Sequence, residues 1–137
     1  MDIRLAIIDD NPADLLRFTR IIKQSYMNPH VTVHLATMTE PPSNIEALLS
    51  YDGLLLDERM GKYSGIDVAQ DVHRLDWTVP IMILSGLPPT AEAFNNCLAY
   101  VDYVVSKDLE GHFLQTFTAF VRQIHRVRFK QLQQNTA

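Results

Sequence analysis

Cysteine is nearly absent: the single Cys97 excludes an intramolecular disulfide and any zinc site built from several cysteines. Long apolar runs are missing as well. The run Leu5 to Ile8 is closed by Asp9 and Asp10, and nothing approaches the roughly 20 residues that a membrane span needs. The N-terminus has neither the Arg-rich and Ser-rich character of a transit peptide nor the apolar core of a signal peptide, so the expected compartment is the cytoplasm. Excess positive charge is also lacking. Twelve Lys and Arg stand against 16 Asp and Glu, a formal net charge of −4, which argues against sequence-independent nucleic-acid binding. There are no repeats of solenoid period and no low-complexity segment.

What is present is enough apolar residue, 47% of 137, for one self-supporting core. Short β-rich runs alternate with helical spacing five times, the pattern of an α/β domain with a parallel sheet. Strands are expected at Ile3 to Ile8, Val31 to Leu35, Gly53 to Leu56, Val79 to Leu84 and Tyr103 to Val105. The first, third and fourth are apolar nearly throughout, as in central strands covered on both faces. The second alternates and suits an edge.

Helix signals fall between the runs. Asn11, Pro12 and Asp14 read as N-cap, first-turn proline and an acid against the helix dipole. Ser43 and Glu46 have capping-box spacing ahead of Ile45, Leu48 and Leu49. Gly65 precedes a third helix, and Pro88, Pro89 and Thr90 introduce a fourth with Ala91, Phe94, Leu98 and Ala99. The last starts near Leu109 and repeats Phe113, Phe117, Phe120, Ile124 and Val127 at 4, 3, 4, 3 spacing, a narrow apolar seam.

In a doubly wound sheet, ligands sit outside the carboxyl ends of the strands where strand order reverses. The residues there are Asp9 and Asp10, Asp57 and Glu58, Ser85 and Gly86, and Ser106 and Lys107. If the order is 2-1-3-4-5, Asp9, Asp10 and Asp57 meet. Crowded carboxylates raise one another's pKa, so such a cluster implies a cation, and a hard-oxygen set selects Mg²⁺ or Mn²⁺. Ser85 and Lys107 add a hydroxyl and an ammonium suited to phosphoryl oxygens, which points to phosphoryl transfer onto a carboxylate. Alone, Ser85 is an ordinary turn residue and Lys107 an ordinary surface lysine. Their joint placement at strand ends carries the inference. The five histidines, His30, His34, His73, His112 and His125, have no ligand spacing. Trp77 is expected to be a packing residue at the far end of the sheet.

These residues resemble the receiver domain of two-component response regulators over about Asp2 to Arg122. The likeness rests on Asp9-Asp10, Asp57 after Gly53-Leu54-Leu55-Leu56, Met60, Gly65, Ser85 and Lys107. It implies a flavodoxin-like (βα)5 fold of order 2-1-3-4-5, with a receiver over 1–124 and a helical extension over 125–137. Asp57 would accept a phosphoryl group from a sensor histidine kinase or histidine phosphotransfer protein. Asp9, Asp10, Asp57 and the Arg59 backbone carbonyl would hold Mg²⁺, with Mn²⁺ as a substitute. Ser85 and Lys107 would bind the phosphoryl oxygens, Arg59 and Leu87 would tune phosphoryl lifetime, and the fourth helix, fifth strand and fifth helix would signal to an output. The domain would be a switch with self-catalysed phosphorylation and dephosphorylation, not a turnover enzyme, and would not itself bind nucleic acid.

Several positions depart from the family. Gly61 replaces a proline, which suggests a less rigid loop, and Asp108 replaces the proline after Lys107, so a trans bond or a shifted Lys107 is expected. The switch aromatic falls on Val104, so either a bulge lets Tyr103 serve or there is no aromatic switch. The C-terminal helix either simply ends in a cationic turn or continues as a dimerising helix or a connection to an output domain. Two other readings remain. A haloacid-dehalogenase-like phosphatase needs an Asp-x-Asp that Asp9-Asp10-Asn11 does not give, and a receiver-like module could act without phosphorylation.

Overall fold

The computed structural model describes residues 1–86, 99–108 and 110–136. Five strands form the sheet: β1 (Asp2–Ile8), β2 (Thr32–Met38), β3 (Gly53–Asp57), β4 (Ile81–Ser85) and β5 (Tyr103–Ser106). They run parallel in the order β2-β1-β3-β4-β5. The described α-helices are α1 (Pro12–Ser25), α2 (Gly65–Leu75) and α3 (Glu110–Thr136). The expected fourth helix, apart from Ala99, lies outside the described residues, as do Leu87 and Leu109.

Period-2 alternation divides the strand side chains between two cores. Ile3, Leu5 and Ile7 of β1 join Leu55, Met82, Leu84 and Val105 against α1 and α3. Ala6, Ile8, Leu54, Leu56, Ile81 and Ile83 face the other way, onto Leu48, Val68, Ala69 and Val72. This is why the doubly covered stretches Leu5 to Ile8, Leu54 to Leu56 and Ile81 to Leu84 are wholly apolar. The α3 seam buries Phe113, Phe117, Phe120 and Ile124 completely or nearly so, and Phe18 of α1 meets Phe113 at 4.9 Å between ring centroids. Each fully buried side chain of this size stabilises the fold by roughly 1.5–3 kcal/mol.

Local chemistry explains the boundaries. Asn11 caps α1 by accepting from the Ala13 N–H at 3.0 Å, with Pro12 in the first turn. The second helical segment is instead a 3₁₀ helix, Ile45–Ser50, capped by Asn44 rather than by a Ser43 capping box. The Asn44 carboxamide oxygen accepts from the Glu46 N–H at 3.1 Å, and the segment closes with the Tyr51 N–H donating to Leu48 O. Strand β2 runs three residues beyond the expected Leu35, because it pairs with β1 along its whole length. Strand β4 starts at Ile81 and ends on Ser85, which sets that hydroxyl at the sheet edge.

Arg59–Met60 and Tyr63–Ser64 form a small antiparallel hairpin after β3. Gly61, at φ +61, opens its two-residue turn in the left-handed region. A hairpin turn with glycine first is what this geometry calls for, and proline cannot adopt that φ. The loop after Asp57 is therefore a paired hairpin. Trp77 is 75% exposed, which corrects its assignment as a packing residue: it follows α2 on the connection into β4, outside both cores. Among the described residues no helix is long and apolar enough to cross a membrane.

α3 is continuous across residues 124 and 125. Arg128 donates to the Asp2 carbonyl oxygen at 2.5 Å and lies 3.9 Å from Asp52, so the first part of the extension is tied to the base of the sheet. Beyond it Phe129 and Leu132 are exposed.

Candidate functional site

Backbone bonds carry the sheet ladder one step past the strands and fix the site. The Asp9 N–H donates to Met38 O at 3.0 Å, Glu58 N–H to Leu84 O at 2.9 Å, and Lys107 N–H to Ser85 O at 2.8 Å. Side chains from four strand ends therefore converge on one edge. Gly65 permits the closest approach: a Cβ there would stand 2.1 Å from the Asp57 carbonyl oxygen, so the start of α2 rests directly on the end of β3. The glycine eight residues after Asp57 thus has a steric reason.

Lys107 is the centre of the charge network. Its Nζ donates to Asp9 Oδ2 at 2.7 Å and to Asp14 Oδ2 at 3.0 Å, and lies 3.0 Å from Asp57 Oδ1. Burial alone would lower the Lys107 pKa, but the bonds to Asp9, Asp57 and Asp14 outweigh it and hold the pKa above its ordinary value. Asp57 is pushed from the ordinary 3.8 up to about 6, first by burial and then by the charges of Asp9 and Asp10, against the opposing Lys107 bond. Asp9 is almost completely buried, and its second oxygen accepts the Asn11 N–H at 2.9 Å. Asp10 is exposed.

Carboxylate oxygens of Asp9, Asp10 and Asp57 lie within 4.8 Å of one another. Asp9, Asp14 and Asp57 all contact the single Lys107 ammonium, and Asp10 adds a fourth negative charge at the cluster. An oxygen-only set with such an excess of negative charge fits a hard divalent cation and not zinc.

Some expected residues are placed differently. Ser85 is fully buried and its hydroxyl donates to Glu58 Oε2 at 2.6 Å. Arg59 is exposed in the hairpin. β5 pairs with β4 without a bulge, so Tyr103 and Val104 take opposite faces. Tyr103 meets Phe120 of α3 edge-on at 6.1 Å, and Val104 packs in the other core. The bond after Lys107 is trans, since no peptide bond among the described residues is cis.

Three contributors to the site had gone unassigned. Asp14, read as an acid for the helix dipole, also holds Lys107; Glu58 engages Ser85; and Arg17 donates to the Lys107 carbonyl oxygen at 2.7 Å. Asp14 and Arg17 stand one helical turn apart on α1 and grip Lys107 by head and backbone. The spacing was visible in the sequence, but its meaning depends on where α1 docks.

No family model and no curated protein matches the sequence. The fold, by contrast, is widely shared. A two-component response regulator of the LuxR family from an Aurantimonas species superposes with a TM-score of 0.72 at 17% identity, over 94% of this chain and 99% of that one. A CheY-like response regulator receiver domain protein from Methanospirillum hungatei gives 0.67 at 16% identity, over 92% and 98%. A chain of the CheX–CheY complex with BeF3 and Mg²⁺ from Borrelia burgdorferi gives 0.69 at 19% identity, over 85% and 87%. The chain has the flavodoxin-like fold of response regulator receiver domains.

Proposed function

We propose that this domain is a phosphorelay receiver whose acceptor is Asp57. The observation that carries the reading is the placement of the buried Asp57 carboxylate, 3.0 Å from Lys107 Nζ and beside Asp9 and Asp10, at the carboxyl edge of the sheet. An Asp57 oxygen attacks the phosphorus of a phosphohistidine on a sensor histidine kinase or phosphotransfer protein. The new bond is O–P and the broken bond is P–N; the phosphohistidine ring, already protonated at its other nitrogen, takes the P–N electron pair and leaves as neutral imidazole. Lys107 already faces the acceptor and neutralises charge on the phosphoryl oxygens, while Ser85 supplies a hydroxyl donor. Mg²⁺ or Mn²⁺, held by Asp9, Asp10, Asp57 and the Arg59 carbonyl, would add positive charge at the transferring group.

The domain then acts as a switch. With Tyr103 packed on α3, the signal leaves through Ser85 and the strand ends rather than through an aromatic rotamer, toward the side of the domain that carries β5 and α3. The extension over 125–137, whose described part continues α3, is the route to an output domain or a second copy. Arg59 and Leu87 lengthen the life of the phosphoryl group, so an Arg59→Asn, Leu87→Glu variant hydrolyses it faster. The test is incubation with acetyl phosphate and Mg²⁺ followed by hydroxylamine. Label on Asp57 is an acyl phosphate and is released by hydroxylamine, whereas hydroxylamine-stable label would refute the assignment.

A further inference from the structure

Glu58 follows the proposed acceptor directly, yet it does not face the carboxylate cluster. Its Oε2 accepts the Ser85 hydroxyl at 2.6 Å, a short charge-assisted bond at a position where Ser85 is fully buried. The pairing is a product of the sheet. The Glu58 N–H bonds to Leu84 O, one residue beyond the Asp57–Leu84 register pair, so Glu58 stands beside Ser85 at the ends of β3 and β4.

A serine hydroxyl has one proton to donate. It therefore cannot donate to Glu58 and to a phosphoryl oxygen on Asp57 at once. The two acceptors are mutually exclusive, and they stand on adjacent residues. A phosphoryl group also adds negative charge next to a region where Asp9, Asp14 and Asp57 already share one lysine, which disfavours Glu58 staying in place.

We infer that Glu58 is a positioning residue that holds Ser85 in the resting state, so that a phosphoryl group on Asp57 must displace it to gain the hydroxyl. The inference rests on the receiver reading and deepens it. The exchange of one proton between two acceptors is the discrete two-state element that a switch requires, and Glu58 sets its resting bias.

The test is titration of the full chain with beryllofluoride, a tetrahedral phosphoryl analogue, at fixed Mg²⁺, followed by amide NMR shifts at the ends of β3 and β4. Glu58→Ala is expected to bind about tenfold more tightly than the unsubstituted protein, as expected for removal of one hydrogen bond to a charged acceptor. Glu58→Gln, which keeps a weaker neutral acceptor, falls between them. In a Ser85→Ala background the same Glu58→Ala change has less than about a twofold effect, because the shared proton is gone. Equal affinity of Glu58→Ala and the unsubstituted protein overturns the inference. So does a gain that persists without Ser85, since that reports only the loss of a negative charge. Failure of the folded, unsubstituted protein to take up beryllofluoride at all overturns the receiver reading, and this inference with it.

Discussion

Asp57→Asn should make the domain more stable while removing its proposed chemistry. The Asp57 carboxyl is pushed from 3.8 to about 6, chiefly by burial and then by the charges of Asp9 and Asp10. The folded state thus holds the proton more tightly than the unfolded chain, and stability falls as pH climbs from about 4 through about 6. Above that window the full cost is present, roughly 3 kcal/mol at 1.36 kcal/mol per pH unit. Asparagine keeps the shape and an oxygen acceptor for Lys107 without the charge. Urea unfolding at pH 7.5 with EDTA should show Asp57→Asn more stable by about 2–3 kcal/mol, and the gap should shrink below about 1 kcal/mol near pH 4. Added Mg²⁺ should stabilise the unsubstituted protein more than the variant, since binding to the folded state alone raises stability. A variant no more stable than its parent at pH 7.5, or a gap unchanged at pH 4, would refute this account of the acidic cluster.

Lys107→Met leaves Asp9 and Asp57 buried without their cation, and should cost about 3–5 kcal/mol in urea unfolding at neutral pH; a loss under about 1 kcal/mol would contradict the network. Gly61→Pro restores the residue usual in the resembling family, yet it should lower stability by about 1–3 kcal/mol because the turn needs a positive φ. Thermal unfolding reads it, and an unchanged midpoint would rule the hairpin out. Gly65→Ala sets a methyl 2.1 Å from the Asp57 carbonyl oxygen, so circular dichroism and urea unfolding should report a loss of about 3 kcal/mol or more.

The central strands were legible because burial on both faces writes an unbroken apolar run, as in Leu5 to Ile8 and Leu54 to Leu56. The α3 seam was legible for the same reason, since one packed face repeats at helical spacing. The Asn44-capped 3₁₀ helix was misread because Ser43 and Glu46 mimic a capping box, and the cap is settled by which side chain reaches the first free N–H. The hairpin of Arg59–Met60 with Tyr63–Ser64 is too short to carry a period. At the site, residues placed by strand ends were readable from topology alone, as Asp9, Asp57, Ser85 and Lys107 were. Asp14 and Arg17 reach Lys107 only through the docking of α1, and Glu58 reaches Ser85 only through the β3–β4 register. Those contacts join residues far apart in sequence, so no local pattern announces them.

The central claim is the phosphoryl acceptor, and intact mass tests it most directly. The protein is incubated with acetyl phosphate and Mg²⁺, beside Asp57→Asn and a Mg²⁺-free control. One phosphoryl adduct on the unsubstituted protein, absent from both controls, is the predicted result. No adduct on a folded protein, or an adduct that survives in Asp57→Asn, would contradict the account, as would steady release of inorganic phosphate over many turnovers.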